Sequence, residues 1–332
     1  MIVLFGMAAS APVLLLYITI VRSFPDKNLI EICKAVFGRA IGALVSLMFI
    51  FFFLTLTSLN LLDLGVFMRQ TILVETPTVA TVTLAMVVCA YAVYKGLKVV
   101  TRYAPVFVLL SYIIMITAVV LTLDIMNFDN FLPVFNLPVS SYVQGTHIIM
   151  TIPFGELIVF LMVAPAVKRR KKNLGVYIFG GFLLGSITLL TVVARDNAVL
   201  GNVAPLFTLP SFETLRMVSI AGALNRMEIL FAIVLIVLLF FKISFLFYVT
   251  VLATAQLFDL SSCHPLVLIM GALVIAYSTF IYPSTVTHAN AGREVEPVLF
   301  LLFEVLLPLA ILIVGRIRGL HKQQFLKEVT LP

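Results

Sequence analysis

Residues 151–165, TIPFGELIVFLMVAP, decide how this chain is read. Both ends are apolar, and with its neighbours the stretch is long enough to cross a membrane as a helix. Its middle nevertheless holds Pro153, Gly155 and Glu156: a residue without an N–H, a residue without a side chain, and a carboxylate. Pro153 cannot donate to the carbonyl of Ile149, and Gly155 adds backbone freedom, so the pair predicts a discontinuous helix. Glu156 lies 12 residues after Gln144 and 11 before Val167, near the middle of its segment. Broken backbone at that depth survives only where protein buries it or it lines a polar cavity. A half-helix starting near Gly155 would aim free N–H groups and a positive dipole end at the cavity, for which a carboxylate-bearing solute is the natural guest. The alternative is a proline kink satisfied locally by Thr151, with Glu156 protonated or paired for structure. The coincidence of break and charge favours the binding reading.

The rest of the chain supplies the membrane. Of 332 residues, 62% are hydrophobic and 11% charged, too few charges to cover a soluble surface; the mean hydropathy is +1.18. Apolar runs of about 20 residues, the length that spans a bilayer core, number nine: 1–21, 40–66, 78–94, 103–123, 144–167, 174–194, 228–258, 265–282 and 297–315. The chain therefore reads as an all-α integral membrane protein. A single transmembrane domain covers 1–332, with a cytoplasmic tail at 316–332 and no room for a second globular domain. The net charge of +7 lies in short loops beside lipid rather than in a stripe for nucleic acid. Cys33, Cys89 and Cys263, like His147, His264, His288 and His321, are scattered, so neither a disulfide framework nor a metal site is expected, and no cofactor. The sequence holds no HExxH, GxSxG or Walker A pattern, and an enzyme is not expected.

Charge asymmetry orients the segments. With the 22–39 loop placed in the cytoplasm, that side carries 16 Lys and Arg residues and the other side 5, Lys242 lying within a segment. The positive-inside rule favours this arrangement and puts the C-terminus in the cytoplasm. KRRKK at 168–172 reads as a topogenic anchor beside anionic lipid, and Gly181-x-x-x-Gly185 as a face for close helix packing. Nine segments leave Met1 on the outer face, and no basic region precedes the first run as a signal peptide requires. The expectation is that one N-terminal segment is lacking. Two longer outer stretches are 124–143 and 195–227. In the second, Ser211 reads as the N-cap of a short amphipathic helix with Phe212, Leu215, Val218 and Ile220, either an interfacial helix or a lid over an outer vestibule.

Polar groups at bilayer depth need a reason. Lys242, mid-segment in FFKISF, is expected to face inward and pair with Glu156 or an exposed carbonyl, as a structural ion pair or a gate. Glu304, in LLFEVLLP, also lies deep; Pro308 four residues on frees the carbonyl of Glu304 itself, which suggests a structural role. Asp63 lies near the outer end of its helix and reads as interfacial.

Several motifs in order carry a resemblance: PFGELIVFLMVAP before a basic loop, RDNAVLG, PSFETLRMVSI, NRMEILFAI, the early FPDKNLIEICKAVFGRAIGALVSL and the late LLFEVLLPLAIL. Across essentially its whole length the chain resembles the spore-germination permease family, the B subunits of GerA-type nutrient germinant receptors. The resemblance implies membership of the amino acid/polyamine/organocation superfamily, with a LeuT-type fold of ten helices in two inverted repeats. The nine segments here would be its second to tenth. The fifth would be its discontinuous sixth helix, without the first helix that normally forms the other half of the central site. The implied ligand site is lined by Thr151, Pro153, Phe154, Gly155 and Glu156, by Leu61 to Gly65, and by Lys242 to Phe245, with Glu156, Lys242 and Glu304 as gating or ion-pair groups. The implied role is to sense a small germinant, commonly an amino acid, in the spore inner membrane, together with an A subunit and a lipoprotein C subunit. A working amino-acid permease, proton-coupled through Glu156, is the alternative that uses the same pocket.

Overall fold

The computed structural model describes residues 1–167, 174–218 and 226–320, and the KRRKK run at 168–172, Ile220 and the tail from 321 onward lie outside the described residues. In chain order the helices are α1 (Ile2–Ser23), α2 (Leu29–Phe37), α3 (Arg39–Thr71), α4 (Thr78–Tyr94), α5 (Leu97–Thr122) and α6 (Val139–Ile149). The α6 span continues through a π-helical turn (Met150–Phe154) and a 3₁₀ segment (Gly155–Met162). Then follow α7 (Leu174–Leu200), α8 (Pro210–Arg216), α9 (Glu228–Leu257), α10 (His264–Phe280), α11 (Thr285–Glu294), α12 (Glu296–Leu301), a second π turn (Leu302–Leu306) and α13 (Leu307–Ile317).

Among the described residues seven helices are long and apolar enough to cross a membrane, or eight if α10 and α11 are one span bent by 97°. The ninth expected segment is α4, whose 17 residues reach about 26 Å, short of a typical hydrocarbon core of about 30 Å. All nine apolar runs are helical, but they are not nine equal spans. The expected tail begins slightly late, because α13 carries the helix through Ile317.

Water is absent from a bilayer core, so backbone groups must be satisfied within the protein. Small hydroxyl residues follow the same rule by bonding back along their own helices: Ser10 to the Gly6 carbonyl, Ser46 to Gly42, Thr57 to Phe53 and Thr250 to Leu246. Thr57 and Thr250 also meet each other at 3.2 Å, which pins α3 to α9 at the centre of the bundle. One core lies where α1, α2, α3, α9 and α13 meet; there Phe52 stacks on Phe303 at 4.7 Å and 8°. A second joins α3, α4, α9 and α10 through Leu61, Val82, Met86, Ile243, Phe247 and Val274.

The short α2 is closed at its start by a capping box, Asn28 accepting from the Glu31 N–H and Glu31 from the Asn28 N–H. It then lies so close to α3 that a Cβ on Gly42 would meet the Cys33 carbonyl oxygen at 2.6 Å. Lys34 extends this tie, donating to the Gln256 carbonyl at 2.9 Å and reaching Asp259 at 3.3 Å.

Helices α5 and α7 turn few residues into the core. Between them and α9 lies an apolar cavity of about 580 Å³, with Tyr112, Thr188 and Arg195 among its walls. Helix α8 closes one end through Leu215. Its N-cap is Leu209, with Pro210 in the first turn, so Ser211 does not cap the helix. The Ser211 hydroxyl instead donates to the buried carboxylate of Asp196, whose other oxygen holds the Arg195 guanidinium at 2.6 and 2.9 Å. The RDN sequence at the end of α7 is thus a clasp for α8. Ser211→Ala removes one buried, charge-assisted bond and is expected to cost about 1–3 kcal/mol. Hydrogen exchange in α8 should quicken in that variant while α9 is unaffected; equal exchange in both proteins would show that the clasp does not hold α8.

Candidate functional site

The span from Val139 to Met162 changes pitch where Pro153 stands. Proline removes one hydrogen bond, and the chain answers by widening into the π turn and then tightening into 3₁₀ helix. The expected break is therefore a change of helical register, not an unwound gap. Nor is the Gly155 N–H free for a ligand, since it bonds to the Thr151 carbonyl. The Thr151 hydroxyl donates to His147 O at 2.9 Å, with Ile148 O at 3.3 Å, so it serves the turn before the proline. Pro153 is exposed, while Phe154 is buried against Phe182 with ring centres 5.0 Å apart.

A second irregular helix crosses at this point. Pro308 frees the carbonyl of Glu304, and the Tyr17 hydroxyl on α1 takes it at 2.7 Å; the Gly155 carbonyl lies 3.0 Å from the same hydroxyl. Tyr17 thus joins two helices at the places where their ladders are disturbed. Tyr17→Phe leaves both carbonyls without this donor and is expected to cost about 1–3 kcal/mol, read as a lower unfolding temperature of the full-length protein. An unchanged temperature would remove the bond from the account. The Glu304 carboxyl itself lies against Gly155, where a Cβ would collide with it. Its side chain is 0% exposed, and neither oxygen has a hydrogen-bond partner among the described residues.

Beside this crossing, Lys242 Nζ on α9 meets Glu156 Oε2 at 2.8 Å. The pair is unequal: the Glu156 side chain is 9% exposed and that of Lys242 41%. The carboxylate is held in the protein while the ammonium faces open space. Phe231, Leu235 and Leu238 line the large cavity from α9, and Lys242 lies one turn further along that face.

Asp63 on α3 extends the charged centre. It is within electrostatic reach of Lys242 and Glu156 and lies 3.6 Å from His288 Nε2 on α11. His288 stacks on Tyr282 at 5.1 Å, and the Tyr282 hydroxyl donates to Glu296 at 2.8 Å. Glu296 in turn is in electrostatic reach of His288, Asp63 and Glu156. Four carboxyls, one ammonium and one imidazole thus run from the buried Glu304 to α11. Asp63 belongs to this network rather than to a simple interface.

Two residues expected at the site lie elsewhere. Leu61 is fully buried in the core shared with α4, α9 and α10. A Cβ on Gly65 would meet Val82 at 2.6 Å, so Gly65 permits the close α3–α4 contact. Leu61 and Gly65 are buried in helix contacts, whereas Asp63 between them is exposed and turns towards His288. Phe245 packs on Phe160 with ring centres 5.0 Å apart, next to the charged centre. Tyr17, Tyr282, His288 and Glu296 are the participants that sequence reasoning missed. Glu296 just before Pro297 looks like a helix start, and nothing local marks the other three.

This is an all-α integral membrane protein with ionisable groups gathered around a disturbed mid-span helix, the architecture of a permease. The family described as spore germination protein matches residues 1–286, and the chain belongs to that family. Spore germination protein KB of Bacillus subtilis (strain 168) is 28% identical over 319 residues, covering 94% of this chain and 85% of that protein. Spore germination protein YndE of the same organism is 24% identical over 281 residues, covering 80% of this chain and 76% of that protein.

Proposed function

We propose that this chain is the membrane subunit of a spore nutrient-germinant receptor, which binds a small germinant of the amino-acid class at mid-membrane and triggers germination. The observation that carries the ligand site is the Glu156–Lys242 pair beside the change of helical pitch. A zwitterion brings both signs of charge. Its carboxylate would take the open side of Lys242, and its ammonium would face Glu156 and Asp63. The pair ties α9 to the α6 span through the buried Glu156 carboxylate, so exchanging its partners for those of a ligand gives binding a direct grip on how α9 sits against that span. Thr151, Pro153, Phe154 and Gly155 shape the helix that presents Glu156, and Phe245 flanks it.

Family membership supports the rest of this reading: one permease domain with a LeuT-type inverted-repeat arrangement, in the spore inner membrane with a cytoplasmic C-terminus. A-type and lipoprotein C-type subunits would act as partners. The second reading, a proton-coupled amino-acid permease, is favoured by one observation, the buried Glu304 carboxyl without a partner. A carboxyl in that position can hold a proton inside the membrane until water or a cation reaches it. Radiolabelled amino-acid uptake by the full-length protein in vesicles separates the two readings. The receptor reading predicts binding without accumulation against a gradient, whereas robust accumulation would favour the permease. Normal germination of a deletion strain with every nutrient would sink the receptor reading.

A further inference from the structure

A second cavity lies at the end of the bundle where α3 finishes and α4 and α11 begin. It measures about 220 Å³ and is walled by Arg69, Thr78, Tyr282, Ser284, Thr285 and His288, with Leu62 and Val66 forming an apolar side. That is below the ~300–1,000 Å³ of sites for drug-sized ligands and fits a small solute. Its lining is selective in sign. Arg69 is exposed and stands in the wall of a pocket that also offers hydroxyl donors. A guanidinium placed so presents a planar fork that matches a carboxylate. The first turns of α4 and α11 open onto the same space and add to its positive character.

The pocket is joined to the charged centre by one residue. His288 is part of its wall and is also the partner of Asp63, which is in electrostatic reach of Lys242 and Glu156.

We propose that this pocket is a separate binding site for the carboxylate of a small solute, with Arg69 as the principal contact and His288 as the link to the Asp63 end of the central network. The proposal rests on the receptor or permease reading only for taking amino acids as the solutes. Occupancy brings an anion beside His288, where it competes with Asp63 for the imidazole and so weakens the contact between α11 and α3.

The test uses the full-length protein in nanodiscs of neutral lipid, treated with the arginine reagent phenylglyoxal and read by mass spectrometry at Arg69. Glycine, L-alanine, L-valine and L-leucine are each added, and L-alaninamide, which lacks the carboxylate, serves as the control. At least one amino acid is expected to slow modification of Arg69 about tenfold, with no effect of the amide. The same protection is expected in the Lys242→Met variant, which distinguishes this pocket from the midplane site. Loss of protection in that variant would make the pocket dependent on the central site and overturn the proposal. So would protection by no amino acid, equal protection by inorganic phosphate, or protection that needs phosphatidylglycerol in the nanodisc. In a binding measurement with the protecting amino acid, Arg69→Gln should remove one site per chain and Arg69→Lys should retain weakened binding. An unaltered stoichiometry in Arg69→Gln would contradict the assignment.

Discussion

Replacing Lys242 with methionine is expected to abolish the nutrient response of spores that depend on this protein while leaving the chain inserted in the membrane. The ammonium is the only Lys or Arg group within a described span that pairs with Glu156, at 2.8 Å, and it is the partially open member of that pair. Without it, an incoming carboxylate loses its counter-charge and Glu156 is stranded in the protein. Breaking a buried pair by removing one partner costs about 3–5 kcal/mol, so Lys242→Met should also lower thermal stability. Glu156→Gln should abolish the response as well, but with a smaller stability loss, because the Lys242 side chain left unpaired is 41% exposed. The double variant, with no charge left to strand, should recover much of the stability and none of the response. Germination followed by loss of optical density, set beside unfolding of the purified proteins, reads both effects. Normal responses in both single variants would remove the central site from this protein.

Gly155→Ala is expected to disrupt the crossing of the α6 and α12–α13 spans. The added Cβ falls on the Glu304 carboxyl, which is fully buried and has nowhere to swing. Either the α6 span or the α12–α13 span must shift, and with it the Tyr17 bond that joins them. Overpacking of this kind costs about 1–3 kcal/mol. Glu304→Ala alone removes a carboxyl without partners and should be close to neutral for folding. Combined with Gly155→Ala it should restore most of the lost stability, because it vacates the space the methyl needs. A Gly155→Ala protein as stable as the parent, or one that Glu304→Ala fails to rescue, would show that the two helices do not cross this closely.

Much of this was legible from residue types alone. Nine apolar runs appear as helices because an apolar chain of that length in lipid has few other ways to satisfy its backbone. Pro153 and Pro308 announced their freed carbonyls, since the missing N–H is a property of the residue. The cost of a lone charge predicted a partner for Lys242, either Glu156 or an exposed carbonyl, and the structure supplies Glu156. The form of the break did not follow: a proline says that one bond is lost, not whether the helix unwinds or widens into a π turn. Nor could the sequence say which face of α3 turns inward. Leu61, Asp63 and Gly65 are close neighbours, and only the packed structure shows that Gly65 meets α4 while Asp63 meets His288. Tyr17 was hidden for a different reason. In an apolar run a tyrosine looks like any core aromatic until the carbonyls it serves, 138 and 287 residues away, are brought beside it.

The most direct test of the mid-membrane site is the accessibility of Lys242 itself. The full-length protein, reconstituted in nanodiscs, is labelled with a small amine-reactive reagent, and modification of Lys242 is quantified with and without the nutrient amino acid that triggers the corresponding spores. The ligand carboxylate should cover the open ammonium and protect it, with exposed lysines such as Lys95 labelled as before. Labelling of Lys242 that is the same at saturating nutrient would contradict a ligand site built on the Glu156–Lys242 pair.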